Sequence, residues 1–268
     1  MQYSQYEHLL FEHKDNGVLL ITLNRPEVMN ATNGRMHWEL TQVWDTIAND
    51  DDTNVVVVTG AGRAFSAGGD LTWIEGMVGK PESIRRIEKE AGDIVFNMLA
   101  LEKPVISAIN GVAVGAGLAV ALMADISIMS ETAKFTDGHV KLGVGAGDHA
   151  AIIWPLLCGM AKAKYYLLTA EFVDGKEADR IGLVSMSAPA EDVLPRAMAI
   201  ADNLAAGSQH AIRGTKTTLN GWMKMAAPIF ENSLRMEMLC FLGEDAAEGV
   251  AAVKEKRSPN FPSSKVSP

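Results

Sequence analysis

The segment Asp137-Gly-His139-Val-Lys-Leu-Gly-Val-Gly-Ala-Gly147-Asp148-His149 gathers two carboxylates and two imidazoles within thirteen residues. Imidazole titrates near neutral pH, so His139 is suited to accept a proton from water or from a substrate carbon. A carboxylate on its other ring nitrogen would fix the tautomer and steady the imidazolium. Asp148, nine positions on and reached through a glycine-rich turn that can fold back, is the first candidate partner. The same residue types can ligate a metal, but Asp137, His139, Asp148 and His149 match no familiar ligand spacing, and no metal is expected. Glu237 is a further candidate. With Leu234 at i−3 and Phe241 at i+4 it falls on the apolar face of a helix, where a carboxylate either meets a cation across an interface or points into a site.

A second set of chemistry-bearing features is made of backbone. The run Val55-Val-Val-Val-Thr-Gly-Ala-Gly-Arg-Ala-Phe-Ser-Ala-Gly-Gly-Asp70 begins like a dinucleotide-binding turn, but the third glycine of that fingerprint would fall at Phe65. Ala64-Phe-Ser66-Ala-Gly68 is one residue away from the nucleophile elbow of serine hydrolases, yet Ser66 stands too far beyond the strand for that turn. The better reading is a glycine-rich loop with free N–H groups facing a ligand. A second small-residue turn, Gly115-Ala-Gly117, opens an apolar helix after a strand, and two N–H donors converging from two loops form an oxyanion hole.

The elements that position these groups follow from hydrophobic period. Apolar runs predict strands at residues 18–23, 55–59, 105–109 and 126–129. Met36, Leu40, Val43, Trp44 and Ile47 mark one helix face, and Ile84, Ile87, Ala91, Ile94, Val95 and Met98 mark another. This alternation makes residues 1–195 an α/β core holding the oxyanion hole and active site. Residues 196–268 read as helix only, with a stripe of Phe230, Leu234, Met238, Phe241 and Leu242, an Asp245-Ala-Ala-Glu248 capping box and a loose tail from residue 258.

Composition narrows the function classes. A net charge of −9 with no basic patch gives no field for holding nucleic acid. Cys158 and Cys240 sit in apolar stretches and read as buried thiols of a reducing, cytoplasmic setting. The N-terminal segment has no apolar core of a signal peptide. The most lipid-like stretch has fourteen residues without a charge, 111–124, against the roughly 20 of a membrane span, so it reads as buried interior and no membrane association is expected.

Taken together, Ala64-Phe-Ser-Ala-Gly-Gly-Asp-Leu71, Lys103-Pro-Val-Ile-Ser-Ala-Ile-Asn-Gly111 with Gly115-Ala-Gly117, Ala133-Lys-Phe135, Leu142-Gly143 and Glu255-Lys-Arg257 with Pro259 and Phe261 resemble the enoyl-CoA hydratase/isomerase (crotonase) superfamily over nearly the whole chain. The resemblance implies a spiral of ββα turns, a helical C-terminal region that builds homotrimers or dimers of trimers, and a thioester oxyanion held by two backbone N–H groups. By position those donors would be Gly69 and Ala116. The adenine end of CoA would lie along Ala64, Ala67, Asp70 and Leu71, with Lys256 and Arg257 near its phosphates. CoA would enter as part of the substrate, with no separate cofactor. Hydratases of the superfamily hold their water with two glutamates, and those positions are Ala119 and His139 here, so ordinary hydration lacks its acid and base.

The His139 and Asp148 pattern, with Trp154-Pro155 and Tyr165-Tyr-Leu-Leu-Thr169, resembles the β-diketone hydrolase branch of 6-oxocamphor hydrolase type. In that branch water attacks a ketone and a C–C bond breaks, and a glutamate at the position of Glu237 lies near the catalytic pair. The second histidine of that branch falls near Ala116 and is absent here. The expectation is an enzyme that stabilises an enolate or oxyanion of an acyl-CoA or β-dicarbonyl substrate, with His139 as base and Asp148 as its orienting carboxylate or a second acid. The alternatives are an acyl-CoA double-bond isomerase working through Asp148, a serine esterase working through Ser66, and a non-catalytic acyl-CoA-binding protein in which His139 is a core residue.

Overall fold

The valine run at residues 55–58 is fully buried, with Val56 and Val58 facing one apolar cluster and Val55 and Val57 facing another. A strand dry on both faces belongs inside a covered parallel sheet. The computed structural model describes residues 3–265 and shows such a sheet. Its chain path opens with β1 (Leu9–His13), β2 (Val18–Leu23) and α1 (Gly34–Ala48). Three turns of one spiral follow: β3 (Val55–Gly60), β4 (Ala64–Ser66), α2 (Leu71–Glu75) and α3 (Pro81–Ala100); β5 (Val105–Ile109), β6 (Val112–Val114) and α4 (Gly115–Met123); β7 (Ile126–Ser130), β8 (Lys134–Thr136) and α5 (Ala150–Thr169), broken at Gly159. Then come β9 (Val173–Asp174), α6 (Gly175–Arg180), β10 (Met186–Ala188) and four helices, α7 (Val193–Ala205), α8 (Gln209–Met225), α9 (Ala227–Cys240) and α10 (Glu244–Glu255).

Each spiral turn sends its first strand to one sheet and its second strand to another. The larger sheet has the order β1-β2-β3-β5-β7-β10, parallel except for the β1/β2 hairpin. The smaller sheet has the order β4-β6-β8-β9, parallel except for β8/β9. Helices α1 and α3 contribute Met36, Leu40, Trp44, Ile87, Ile94 and Val95 to the larger cluster, so both predicted helix faces are core faces. On the other side of the sheet, Val193, Ala197 and Ala201 of α7 cover Val55, Val57, Ile106 and Ala108. Residue 195 thus falls inside a helix that packs on the α/β core.

Three details differ from the sequence reading. Helix α10 begins at Glu244 with Gly243 as N-cap and no side-chain cap, so Asp245 and Glu248 do not form a capping box. Asp245 instead accepts from the Ser263 backbone N–H and hydroxyl, and Glu248 accepts from Arg257 and the Asn260 N–H. These acceptors dock the tail onto α10 as far as Lys265. Val266, Ser267 and Pro268 of that tail, and Met1 and Gln2 of the N-terminal segment, lie outside the described residues. Leu242 of the predicted stripe is exposed, because α9 ends at Cys240 and the chain turns away, whereas Phe230, Leu234, Met238 and Phe241 are buried. Cys158 and Cys240 are free thiols and half-buried. No helix among the described residues is long and apolar enough to cross a membrane.

Close packing between α4 and β4 sets the spacing of the two glycine loops. A Cβ at Gly117 would meet the Ser66 Cβ at 2.2 Å and its Oγ at 2.4 Å. Gly117→Ala should therefore lower stability by about 1–3 kcal/mol in urea denaturation, and adding Ser66→Gly should recover most of that loss. Strictly additive losses in the double variant would show that this contact is not the cause.

Candidate active site

The loop after β4 is clamped on both sides of Gly69. Thr32 donates its N–H to the Gly68 carbonyl at 2.7 Å and accepts from the Asp70 N–H at 2.9 Å. Neither bond uses the Gly69 amide. A Cβ there would stand 2.6 Å from Ile74 Cδ1, so any other residue would have to push that side chain aside. The loop is completed by α2, whose N-cap Asp70 accepts from Thr72 N–H at 3.0 Å and pairs with Arg25 at 3.5 Å. Facing it, Gly115 turns the chain with φ 53° into α4, so that Ala116 lies in the first turn, where amides have no helical partner and the helix dipole is positive. Gly69 and Ala116 line one cavity, and neither amide donates to a protein acceptor among the described residues. These are the two predicted oxyanion donors, in one place.

His139 opens a short 3-10 turn after β8. Its Nδ1 lies 2.8 Å from Asp137 Oδ1, which also accepts the His139 N–H at 3.3 Å. Its Nε2 lies 3.5 Å from Glu237 Oε1 and 3.7 Å from Asp148 Oδ2. Asp148 Oδ1 in turn accepts from His149 Nδ1 at 2.5 Å. The orienting carboxylate expected at Asp148 is therefore Asp137. Two residues before the ring, with Gly138 between, it reaches the imidazole across a single tight turn. Asp148 stands instead on the Nε2 side together with Glu237. Helix α9 can bring Glu237 so close because Gly147 has no side chain: a Cβ there would stand 2.6 Å from Glu237 Cβ and 2.4 Å from the Ser233 carbonyl.

This geometry sets the charges. Burial alone would lower the His139 pKa, but Asp137, Asp148 and Glu237, with the Asp137 hydrogen bond, outweigh it and hold the ring well above the ordinary imidazole range. For Asp148, burial opposes ionisation, yet the His139 and His149 imidazoles keep its carboxyl well below the usual carboxylate range. Glu237 is pushed up to about 7 by burial, with Asp148 and Asp137 adding to the shift and His139 opposing it. The surrounding carboxylates thus favour the protonated form of His139. A partly ionised carboxyl stands beside it.

Other expected residues separate clearly. Ser66 is fully buried, donates to the Asn30 carbonyl at 2.8 Å and abuts Gly117, so the esterase nucleophile is excluded by its position. Ala119 is buried inside α4. Ala67 and Leu71 line the cavity, while Ala64 is buried within β4. Lys256 is exposed and makes no ion pair among the described residues, whereas Arg257 forks onto Glu248 and touches Glu255. Donor atoms of His139, Asp148 and Glu237 lie within 4.8 Å of one another, as do those of Asp137, Asp148 and His149. The sequence reading missed His37, which lines the cavity from α1.

A family model described as enoyl-CoA hydratase/isomerase matches residues 13–264. The chain belongs to that family. Among its relatives, the crotonyl-CoA hydratase of Syntrophomonas wolfei is 33% identical, the match covering 96% of this chain and 98% of that protein. The short-chain-enoyl-CoA hydratase of Clostridium acetobutylicum is 34% identical over 91% of this chain and 94% of that protein. Among solved structures, an enoyl-CoA hydratase/isomerase from Mycobacterium paratuberculosis superposes with a TM-score of 0.89 at 30% identity, covering 93% of this chain and 99% of that one. A β-diketone hydrolase from Anabaena sp. PCC 7120, bound to (S)-3-oxocyclohexyl acetic acid, superposes at 0.84 with 29% identity, covering 90% and 96%.

If Asp137 holds the proton on His139, Asp137→Asn should shift the ring's titration to lower pH. Nitrogen chemical shifts of the imidazole, followed from neutral to alkaline pH, read this directly; an unchanged titration would remove Asp137 from the cluster.

Proposed function

We propose that this family member hydrolyses a C–C bond of a β-dicarbonyl substrate, with a carbonyl oxygen held by the Gly69 and Ala116 amides. The observation that carries this reading is the buried cluster of His139, Asp137, Asp148 and Glu237 beside that oxyanion hole, with Ala119 on α4 where a hydratase glutamate would stand. Water adds to the carbonyl carbon and gives its proton to Glu237. The tetrahedral oxyanion is met by the two amides. When the C–C bond breaks, one fragment leaves as an acid and the electron pair goes to the other fragment as an enolate. His139 donates a proton to the enolate carbon, and the proton held by Glu237 restores the ring. One water is consumed and no further cofactor is needed.

A second reading keeps the thioester. Asp148 lines the same cavity and stays ionised, so it suits proton transfer on an acyl-CoA double bond, with CoA entering past Ala67 and Leu71 and Lys256 near its phosphates. The relatives named as enoyl-CoA hydratases support a thioester, and the structural likeness to a β-diketone hydrolase supports the first reading. Free thiols at Cys158 and Cys240 fit a reducing cytoplasm. We further propose that the chain forms a trimer or a dimer of trimers through α8 and α9, which expose Leu219, Trp222, Met225, Ile229 and Leu239.

A panel of cyclic β-diketones and acyl-CoAs, with products read by mass spectrometry, decides between the readings. Ring-opened keto acids are the expected products. His139→Ala should reduce turnover by about 10²- to 10⁴-fold. A fully active variant would sink the mechanism, and Asp148-dependent isomerisation of acyl-CoAs alone would install the second reading. The pH profile follows from the charges. Activity falls on the acid side as Glu237 takes a proton near pH 7, and on the alkaline side as His139 loses one. Glu237→Gln should abolish the acid limb near neutrality, leaving Asp148 as the residual base.

The trimer is tested by light scattering at micromolar concentration. A monomer would leave the exposed apolar helix faces without their proposed cover.

A further inference from the structure

The residues of α1, α2, α3 and the α2–α3 turn that line the cavity are apolar apart from one ring, whose charge acts on Asp148 of the His139 cluster. Trp73, Ile74, Met77, Ile87 and Ala91 line it, and His37 stands among them, 3% exposed. Its Nδ1 lies 2.7 Å from Glu90 Oε2 on α3, and its ring packs against Trp73 at 5.1 Å between centroids. Nε2 has no protein partner among the described residues. A tie between α1 and α3 needs only Nδ1. The second ring nitrogen is open to the cavity and free to bond to a group that enters it.

We infer that His37, fixed by Glu90, binds a second oxygen on the carbon skeleton of the substrate, the second carbonyl of a β-dicarbonyl. This rests on the hydrolytic reading above and deepens it. Nδ1 is turned to the Glu90 carboxylate and Nε2 to the cavity, so an Nε2–H there would donate to a substrate oxygen. A β-dicarbonyl has two oxygens to place: one takes the Gly69 and Ala116 amides, and the other takes His37. When water has added to the first carbonyl and the C–C bond breaks, its electron pair delocalises onto the second carbonyl oxygen. The negative charge then forms at the atom that His37 already holds. The proton still reaches the enolate carbon from His139, so His37 keeps its own. Glu90 is a positioning residue that holds the ring through Nδ1. A plain acyl chain has no group for this anchor, which makes the wall selective for an oxygenated skeleton.

The experiment compares a cyclic β-diketone with the matching cyclic monoketone, as ligands by calorimetry and, for the diketone, in turnover. Wild-type protein should bind the diketone more tightly by about 10- to 100-fold, the worth of one charge-assisted hydrogen bond. His37→Phe, which keeps a planar ring in the wall, should erase that preference and lower kcat while leaving affinity for the monoketone within a few-fold. Glu90→Gln is the second variant, should the first fail to fold. It should lower kcat more than it raises KM and weaken the preference in part, and a change in thermal stability alone would give neither. Retained preference and turnover in both variants would overturn the inference and leave the hydrolytic reading standing. A wild-type protein that neither binds nor opens any cyclic β-diketone would overturn both.

Discussion

An imidazole surrounded by three carboxylates, largely withdrawn from bulk water, is the interaction on which the candidate site depends. Isolating such charges from solvent is costly, and the cost is offset only when geometry and hydrogen bonds are tightly set. Here Asp137 grips His139 from within one turn, His149 grips Asp148 from the adjacent position, and α9 delivers Glu237 from the far end of the chain. Removing any one of the three carboxylates would change the proton affinity of the ring. The cluster is therefore a single titrating unit, and the acid and base roles belong to it jointly. Asp137 Oδ2, Glu237 Oε2 and His149 Nε2 are buried without protein partners, so the cluster carries polar groups that the fold itself leaves unsatisfied.

The oxyanion hole obeys a different constraint. It is assembled from backbone, so its requirement is for missing side chains: Gly69 leaves room for Ile74, and Gly117 for Ser66, letting β4 and α4 approach closely enough for two amides to serve one oxygen. On the proposed reading, carbonyl activation belongs to the backbone, while the side chains around it select the reaction. Such a separation fits the superposition of both an enoyl-CoA hydratase/isomerase and a β-diketone hydrolase on one chain, at TM-scores of 0.89 and 0.84.

The valine and isoleucine runs made the sheet legible, and the helix stripes at Met36 and Ile84 made its cover legible, because both signals depend on local period alone. Glycine loops and His139 stood out for their residue types. Glu237 could be placed on an apolar face, but its meeting with His139 depends on how α9 docks, which no local pattern contains. Asp137 was hidden by its nearness: the pair Asp-Gly-His looks like a turn, and only the turn's geometry brings the carboxylate back to Nδ1. His37 sits beside Met36 in a core stripe and reads as part of it until α3 supplies Glu90. Asp245 and Glu248 had the spacing of a cap, but tertiary contacts with the tail took their oxygens first.

Glu237 has a consequence for synthesis as well as chemistry. During translation the spiral core, with its oxyanion hole and Asp137, His139 and Asp148, emerges well before α9. Until that helix leaves the ribosome and docks at Gly147, the imidazole faces an incomplete set of neighbours and the cavity lacks one wall. On the proposed mechanism, full turnover would therefore report that α9 has been made and seated against Gly147.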